Sequence, residues 1–167
     1  YAALVLRLSG IEAEQIRKHL SKFSGIAHRM EFVSIKNGVS WYNDSAATIP
    51  QATAAALKGV EKPVRLIAGG TDKKLDFNGT IEAFALAKEI YLLEGSATKR
   101  LTTLLDNKNI AYRGPFKNLE SAVKDASKDS QSGEIVIFSP GATSFGMFNN
   151  EFDRHYQFRQ IVLGLPS

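Results

Sequence analysis

The chain contains no cysteine. That excludes a disulfide framework and any cysteine–zinc site, and it mildly favours a reducing compartment. Its three histidines, His19, His28 and His155, show no metal-ligand spacing. No apolar run approaches the roughly 18 residues of a membrane span. The opening stretch Tyr1–Leu8 is too short for a signal peptide and lacks a basic flank and cleavage site. No repeat or low-complexity tract is present. Neither G-x-x-x-x-G-K-[ST] nor G-x-G-x-x-G occurs, which removes a P-loop and disfavours a classical dinucleotide site. The formal charge of +4 is dispersed, without a basic stripe or interleaved aromatics, so it does not support nucleic-acid binding. An anionic small substrate accounts for it at least as well.

What is present is a chain of 167 residues, 44% of them hydrophobic, enough for one domain with a real core or a domain and a stub. The most informative stretch runs from Glu134 to Arg154. Ile135-Val136-Ile137-Phe138 is too continuously apolar for a half-exposed strand and suits one buried on both faces. Ser139-Pro140-Gly141-Ala142-Thr143-Ser144 follows at once. Small hydroxylated residues just past a buried parallel strand mark the edge where open α/β sheets bind ligands. Ser144 or Asn150 is then positioned to cap a helix over Glu151–Leu163.

The rest of the chain fits that frame. Ala2–Leu6 reads as the end of a helix stopped by Gly10, and Glu12–Phe23 as a second helix with Ile16, Leu20 and Phe23 on one face. Residues 1–27 are expected to be the tail of a preceding domain. Met30–Ile35 and Val39–Tyr42 flank Asn37-Gly38, a strong hairpin signal. Gln51–Leu57 is helical, with Pro50 in its first turn and Thr48 near the cap. Strands are expected at Val64–Ala68, Glu89–Leu93, Ile110–Tyr112 and Glu134–Phe138, and helices at Ile81–Ala87, Thr98–Leu105 and Leu119–Ala126. This alternation predicts an α/β fold, a Rossmann-like, mostly parallel sheet with helices on both faces, plus an N-terminal helical stub and a β-hairpin. Loops after Asn43, Ala68, Leu93 and Phe138 then gather along one edge, with room for a small anionic ligand. Locally, blander alternatives stay open. Gly69-Gly70 serves as a turn with Lys73 solvated, Asp44 and Thr48 act only as helix caps, and His28-Arg29 is plain surface.

Four strings occur in order and at suitable spacing: His28-Arg29-Met30-Glu31, Tyr42-Asn43-Asp44-Ser45-Ala46-Ala47-Thr48, Leu66-Ile67-Ala68-Gly69-Gly70-Thr71-Asp72-Lys73, and Ser139-Pro140-Gly141-Ala142-Thr143-Ser144-Phe145. Together they resemble the C-terminal domain of the Mur ligases, closest to the members that add glutamate. The resemblance implies residues 1–27 as the tail of a central ATPase domain and residues 28–167 as the C-terminal amino-acid-binding domain. It implies a cytoplasmic enzyme of peptidoglycan synthesis that uses ATP and Mg²⁺, both bound mainly by the upstream domains. Glutamate would be joined to UDP-N-acetylmuramoyl-L-alanine through an acyl phosphate, with no nucleic acid or membrane involved and no turnover by these residues alone.

By the same resemblance, Arg29 and Asp44 belong to nucleotide binding, and Thr48, Lys73, Ser144 and Phe145 to the glutamate pocket. An ammonium with hydroxyl donors is a sensible receptor for two carboxylates. No catalytic or metal-binding residue is expected here. Departures from the family pattern are equally specific. Ala46 stands for a lysine, Ile49 for an asparagine and Gly146 for an aspartate, and an aromatic beyond Phe148 is displaced, giving Glu151-Phe152. They leave the choice between D- and L-glutamate open. The competing reading is a stand-alone Rossmann-like module that binds small anions or a partner without catalysis.

Overall fold

A computed structural model describes residues 2–167; Tyr1, part of the expected 1–27 segment, lies outside the described residues. Two short helices come first, α1 (Ala2–Leu8) and α2 (Ala13–Leu20), with Gly10 between them at φ +86°. The second helix is shorter than the Glu12–Phe23 pattern. Ser21 and Lys22 continue only as a turn, because Phe23 is exposed and gives another helical turn nothing to pack against. The hairpin forms as read. β1 (Glu31–Lys36) and β2 (Val39–Asn43) pair antiparallel, and Asn37 and Gly38 both have positive φ, 49° and 76°. Those signs define the type I′ turn that Asn-Gly favours.

Then follow α3 (Pro50–Lys58), β3 (Val64–Gly69), α4 (Ile81–Phe84), β4 (Ala87–Leu93) and α5 (Ser96–Asn107). The chain ends with β5 (Arg113–Phe116), α6 (Leu119–Asp129), β6 (Ile135–Phe138) and α7 (Glu151–Leu163). Two expectations need correction. Helix α4 stops at Phe84, because Ala87 already pairs with Val64 and the ladder takes the residues that helical spacing had claimed. The fifth strand is Arg113–Phe116 and not Ile110–Tyr112. Ile110 and Tyr112 are half-buried against the core, while the backbone pairing to β4 is made by Arg113 and Phe116. Gly114-Pro115 within that strand imitates a turn signal, and proline is tolerated there because β5 is a sheet edge.

The six strands lie in the order β1-β2-β6-β3-β4-β5, parallel except for the β1–β2 pair. Alternating side chains divide the core. Leu66, Ile90 and Ile137 pack with Leu57 of α3, Phe84 of α4 and Leu101 of α5. Ile67, Tyr91 and Val136 pack with Val123 of α6 and Phe158 of α7 on the other face. All four residues of β6 are buried, as a strand covered on both sides requires. After β3 the chain winds outward to β5, then returns to insert β6 between β2 and β3. That reversal opens a crevice at the carboxyl ends of β2, β6 and β3.

The amino end of the sheet is closed by charge. Arg65 donates to Glu134 Oε2 at 2.7 Å, to the Tyr91 hydroxyl at 3.0 Å and to the Asp129 carbonyl at 2.6 Å, and Lys88 also bonds Glu134. Burial disfavours the Glu134 carboxylate, but the bonds from Lys88 and Arg65 outweigh it and lower its pKa to about 2. At the other extreme, α1 buries no side chain, and Leu4, Val5, Leu8, Phe23 and Ile26 are exposed. Among the described residues, no helix is long and apolar enough to cross a membrane.

Candidate functional site

Backbone contacts between loops build the crevice. Gly69 N–H donates to the Pro140 carbonyl at 2.9 Å, Thr71 and Thr143 exchange backbone bonds at 3.2 and 3.1 Å, and Ala97 N–H reaches the Gly70 carbonyl at 3.0 Å. A Cβ on Gly70 would sit 2.7 Å from the Thr143 carbonyl oxygen, and one on Gly95 only 2.1 Å from that of Gly70. The glycine pair therefore serves close approach of the loops after β3, β4 and β6. The loop after β2 joins them through Gly141 N–H to the Ala47 carbonyl at 2.9 Å.

Asp44 anchors that loop from below. It is buried, accepting from Met30 N–H at 3.1 Å and from the Ser139 hydroxyl at 2.6 Å. Burial raises its pKa above the usual carboxylate range, although the Ser139 and Met30 bonds and the nearby Arg29 charge oppose the rise. Arg29 is exposed, on a segment where His28 and Met30 both have positive φ. The Met30–Asp44 bond ties that segment to the end of β2.

Helix α7 forms the remaining wall. Asn150 caps it, accepting from Asp153 N–H at 2.9 Å, so Ser144 is not the cap. Nor does Thr48 cap α3, whose N-cap is Ile49 with no side-chain bond. Arg154 is buried and donates through Nη1 to the Ala142 carbonyl at 3.0 Å and through Nη2 to that of Ser45 at 2.6 Å. It thereby joins the loops after β2 and β6, while its Nε has no partner. Burial lowers its pKa to about 10. His155 bonds the Ser45 hydroxyl through Nδ1 and stacks on His28, ring centroids 3.9 Å apart and planes 6° from parallel. Burial, with the His28 and Arg154 charges, pushes its pKa down to about 4.

These walls enclose a cleft of about 350 Å³ lined by Thr48, Lys73, Ser144, Phe145, Glu151 and Arg154, among others. All four side chains expected to bind glutamate face this one space. Neither the Thr48 nor the Ser144 hydroxyl forms a side-chain hydrogen bond among the described residues. Asp44 and Arg29 do not line the cleft. The loop after Leu93 faces an adjoining hollow instead, of about 440 Å³, which shares Phe145 with the cleft and includes Thr71, Glu94, Gly95 and Lys117. A larger hollow of about 620 Å³ between α6 and α7 is mostly apolar and lies on the flank, away from the converging loops. Among the described residues no group of three or more His, Asp or Glu side chains could hold a metal. With both Asp44 oxygens engaged internally, the residues present do not fit a Mg²⁺ site.

The profile of the family described as Mur ligase, glutamate ligase domain, matches residues 28–141. The chain belongs to this family. It is 43% identical over 148 residues to the UDP-N-acetylmuramoylalanine--D-glutamate ligase of Treponema pallidum, covering 89% of this chain and 28% of that protein. The enzyme of the same name from Roseiflexus is 42% identical over 156 residues, 92% of this chain and 34% of that one. The chain thus spans about a third of the length of the curated relatives it matches. Among solved structures, the UDP-N-acetylmuramate-alanine ligase of Thermotoga maritima superposes with a TM-score of 0.65 at 13% identity, covering 96% of this chain and 35% of that one. FolC of E. coli in complex with ADP gives 0.60 at 18% identity, covering 97% and 38%. Both likenesses show that the α/β fold of this chain, a mostly parallel sheet with helices on both faces, recurs in those two proteins.

Arg154 and His155 were not singled out from sequence. Nothing in their local sequence marks them, and only the fold reveals that they join separate loops. Glu151 was legible as a departure from the family pattern, but its place in the cleft was not.

Proposed function

We propose that this chain is the amino-acid-binding domain of a cytoplasmic, ATP-dependent ligase that joins glutamate to UDP-N-acetylmuramoyl-L-alanine in peptidoglycan synthesis. The observation that carries the reading is convergence. Thr48, Lys73, Ser144 and Phe145 come from three separate loops and line one polar cleft, with the Thr48 and Ser144 hydroxyls unspent. A lysine and hydroxyls suit the two carboxylates of glutamate. The relatives, named as D-glutamate ligases, favour the D isomer.

Residues 1–27 act as the tail of the central ATPase domain, which supplies the phosphate loop and the Mg²⁺ ligands that this chain lacks. ATP there provides the phosphoryl group that activates the acceptor carboxylate. The contribution of this chain is to hold glutamate with its amine facing that carbonyl, so that amide formation expels phosphate; catalysis by these residues is positioning. Arg29 is the group free to reach a nucleotide across the domain boundary, and Asp44 acts by fixing the segment that carries it. The test is product formation by the whole ligase containing this chain, supplied with ATP, Mg²⁺, UDP-N-acetylmuramoyl-L-alanine and either isomer of glutamate. Amide formation with D-glutamate and ADP release are expected. Failure with both isomers, together with acceptance of another amino acid, would overturn the substrate reading.

A further inference from the structure

The cleft contains one carboxylate, Glu151, and one lysine, Lys73. Glu151 is the first residue of α7, and Lys73 lies on the loop after β3. Both are exposed, and neither forms an ion pair or a side-chain hydrogen bond among the described residues. A carboxylate at a helix start usually serves the helix, accepting its free N–H groups. That work is done elsewhere in this helix. Asn150 caps it, and Asp153 accepts from Asn149 N–H at 2.9 Å and from the Gln157 amide at 3.0 Å. Glu151 is left free.

Its setting is also electrically unusual. Arg154 and His155, one turn and four residues along the same helix, line the cleft behind it. Burial holds down the pKa of both, while the Glu151 charge is near enough to favour their charged forms. The Arg154 Nη groups are committed to the Ala142 and Ser45 carbonyls. Ala46, also in the lining, adds no charge to the cleft.

An amino acid brings an ammonium as well as carboxylates. Lys73 and the Thr48 and Ser144 hydroxyls suit the carboxylates, whereas Glu151 alone offers a full negative charge to the ammonium. We propose that Glu151 is a specificity-determining residue that recognises the α-ammonium of the incoming amino acid. The proposal rests on reading the cleft as an amino-acid site. It assigns different groups of the ligand to different elements, the carboxylates to the loops after β2, β3 and β6 and the ammonium to the start of α7.

Glutarate, which is glutamate without its amine, separates the two ideas. The chain is titrated with each ligand while the amide resonances of Thr48 and Ser144 are followed by NMR. Glutamate should bind roughly tenfold more tightly than glutarate, the discrimination expected of one charge-assisted bond at an open site. Glu151→Gln should abolish that preference by weakening glutamate alone. Lys73→Met should weaken both ligands and leave the preference in place. Equal binding of the two ligands by the unaltered chain, or a Glu151→Gln effect of the same size on both, overturns the role of Glu151 and leaves the cleft assignment standing. If neither ligand perturbs the cleft, the amino-acid site itself is wrong, and the proposal falls with it.

Discussion

Lys73 and Lys74 are adjacent and both exposed, yet only Lys73 lines the cleft. Lys74 has φ +60°, and its N–H is turned back to Asp72 at 2.7 Å. In the whole ligase, Lys73→Ala should raise the KM for glutamate about tenfold or more, with the KM for ATP much less changed. Lys74→Ala is the internal control and should be nearly silent. Steady-state kinetics with each substrate varied in turn decides it, and the reverse pattern would place the wrong lysine in the cleft. The position of Lys73 was legible because a glycine pair followed by a lysine, beyond a buried strand, has few places to go. The role of the glycines was not. Whether Gly70 cradles an anion or admits a neighbouring carbonyl depends on the Thr143 loop, 73 residues farther on, which no local pattern reports.

Elements were read best where periodicity and tertiary demand agree. Buried β6 and the Asn37-Gly38 hairpin carry their own signatures, so both were placed from sequence. At β5 the apolar stretch Ile110–Tyr112 looked like the strand; edge pairing to β4 decided for Arg113–Phe116 instead. The exposed apolar face of α1 has a measurable counterpart. In hydrogen exchange, amides of α1 should be protected by no more than about 1–2 kcal/mol, whereas those of Ile135–Phe138 should open only with the whole domain. Equal protection of the two would mean that residues 2–8 are covered, by this domain or by a second copy, and would contradict their assignment as the tail of another domain.

For the whole molecule, acid stability should fall in two stages. The folded pKa of His155 lies near 4, below its ordinary value of 6.5, so the unfolded chain takes up that proton first and stability declines as pH drops from about 6.5 to 4. Glu134, held near 2 against an ordinary 4.5, is ionised and bonded in the fold, and its contribution is complete above about 4.5 and lost on the way down to 2. Each stage is worth up to about 3 kcal/mol. Asp44, whose pKa is raised, works in the opposite sense and partly offsets both. Urea unfolding measured across pH should lose the upper stage in His155→Gln and the lower one in Glu134→Gln. The same chain should bind ATP only weakly, in the millimolar range by calorimetry, because Arg29 can meet a nucleotide from one side only and no phosphate loop is present. Micromolar affinity would favour an independent nucleotide-binding module.

The tie between Thr71 and Thr143, backed by the contact of Gly95 with Gly70, has a kinetic consequence. Three rims of the cleft are fastened main chain to main chain, so the receptor exists before its guest arrives. Little ordering entropy remains for the ligand to offset. Encounter of glutamate with this domain should therefore be a single second-order event, with an observed rate that grows linearly with concentration and never levels off. NMR lineshapes should follow one exchange process at every cleft residue. A plateau would instead reveal a unimolecular rearrangement, and would place the slow motion within these loops.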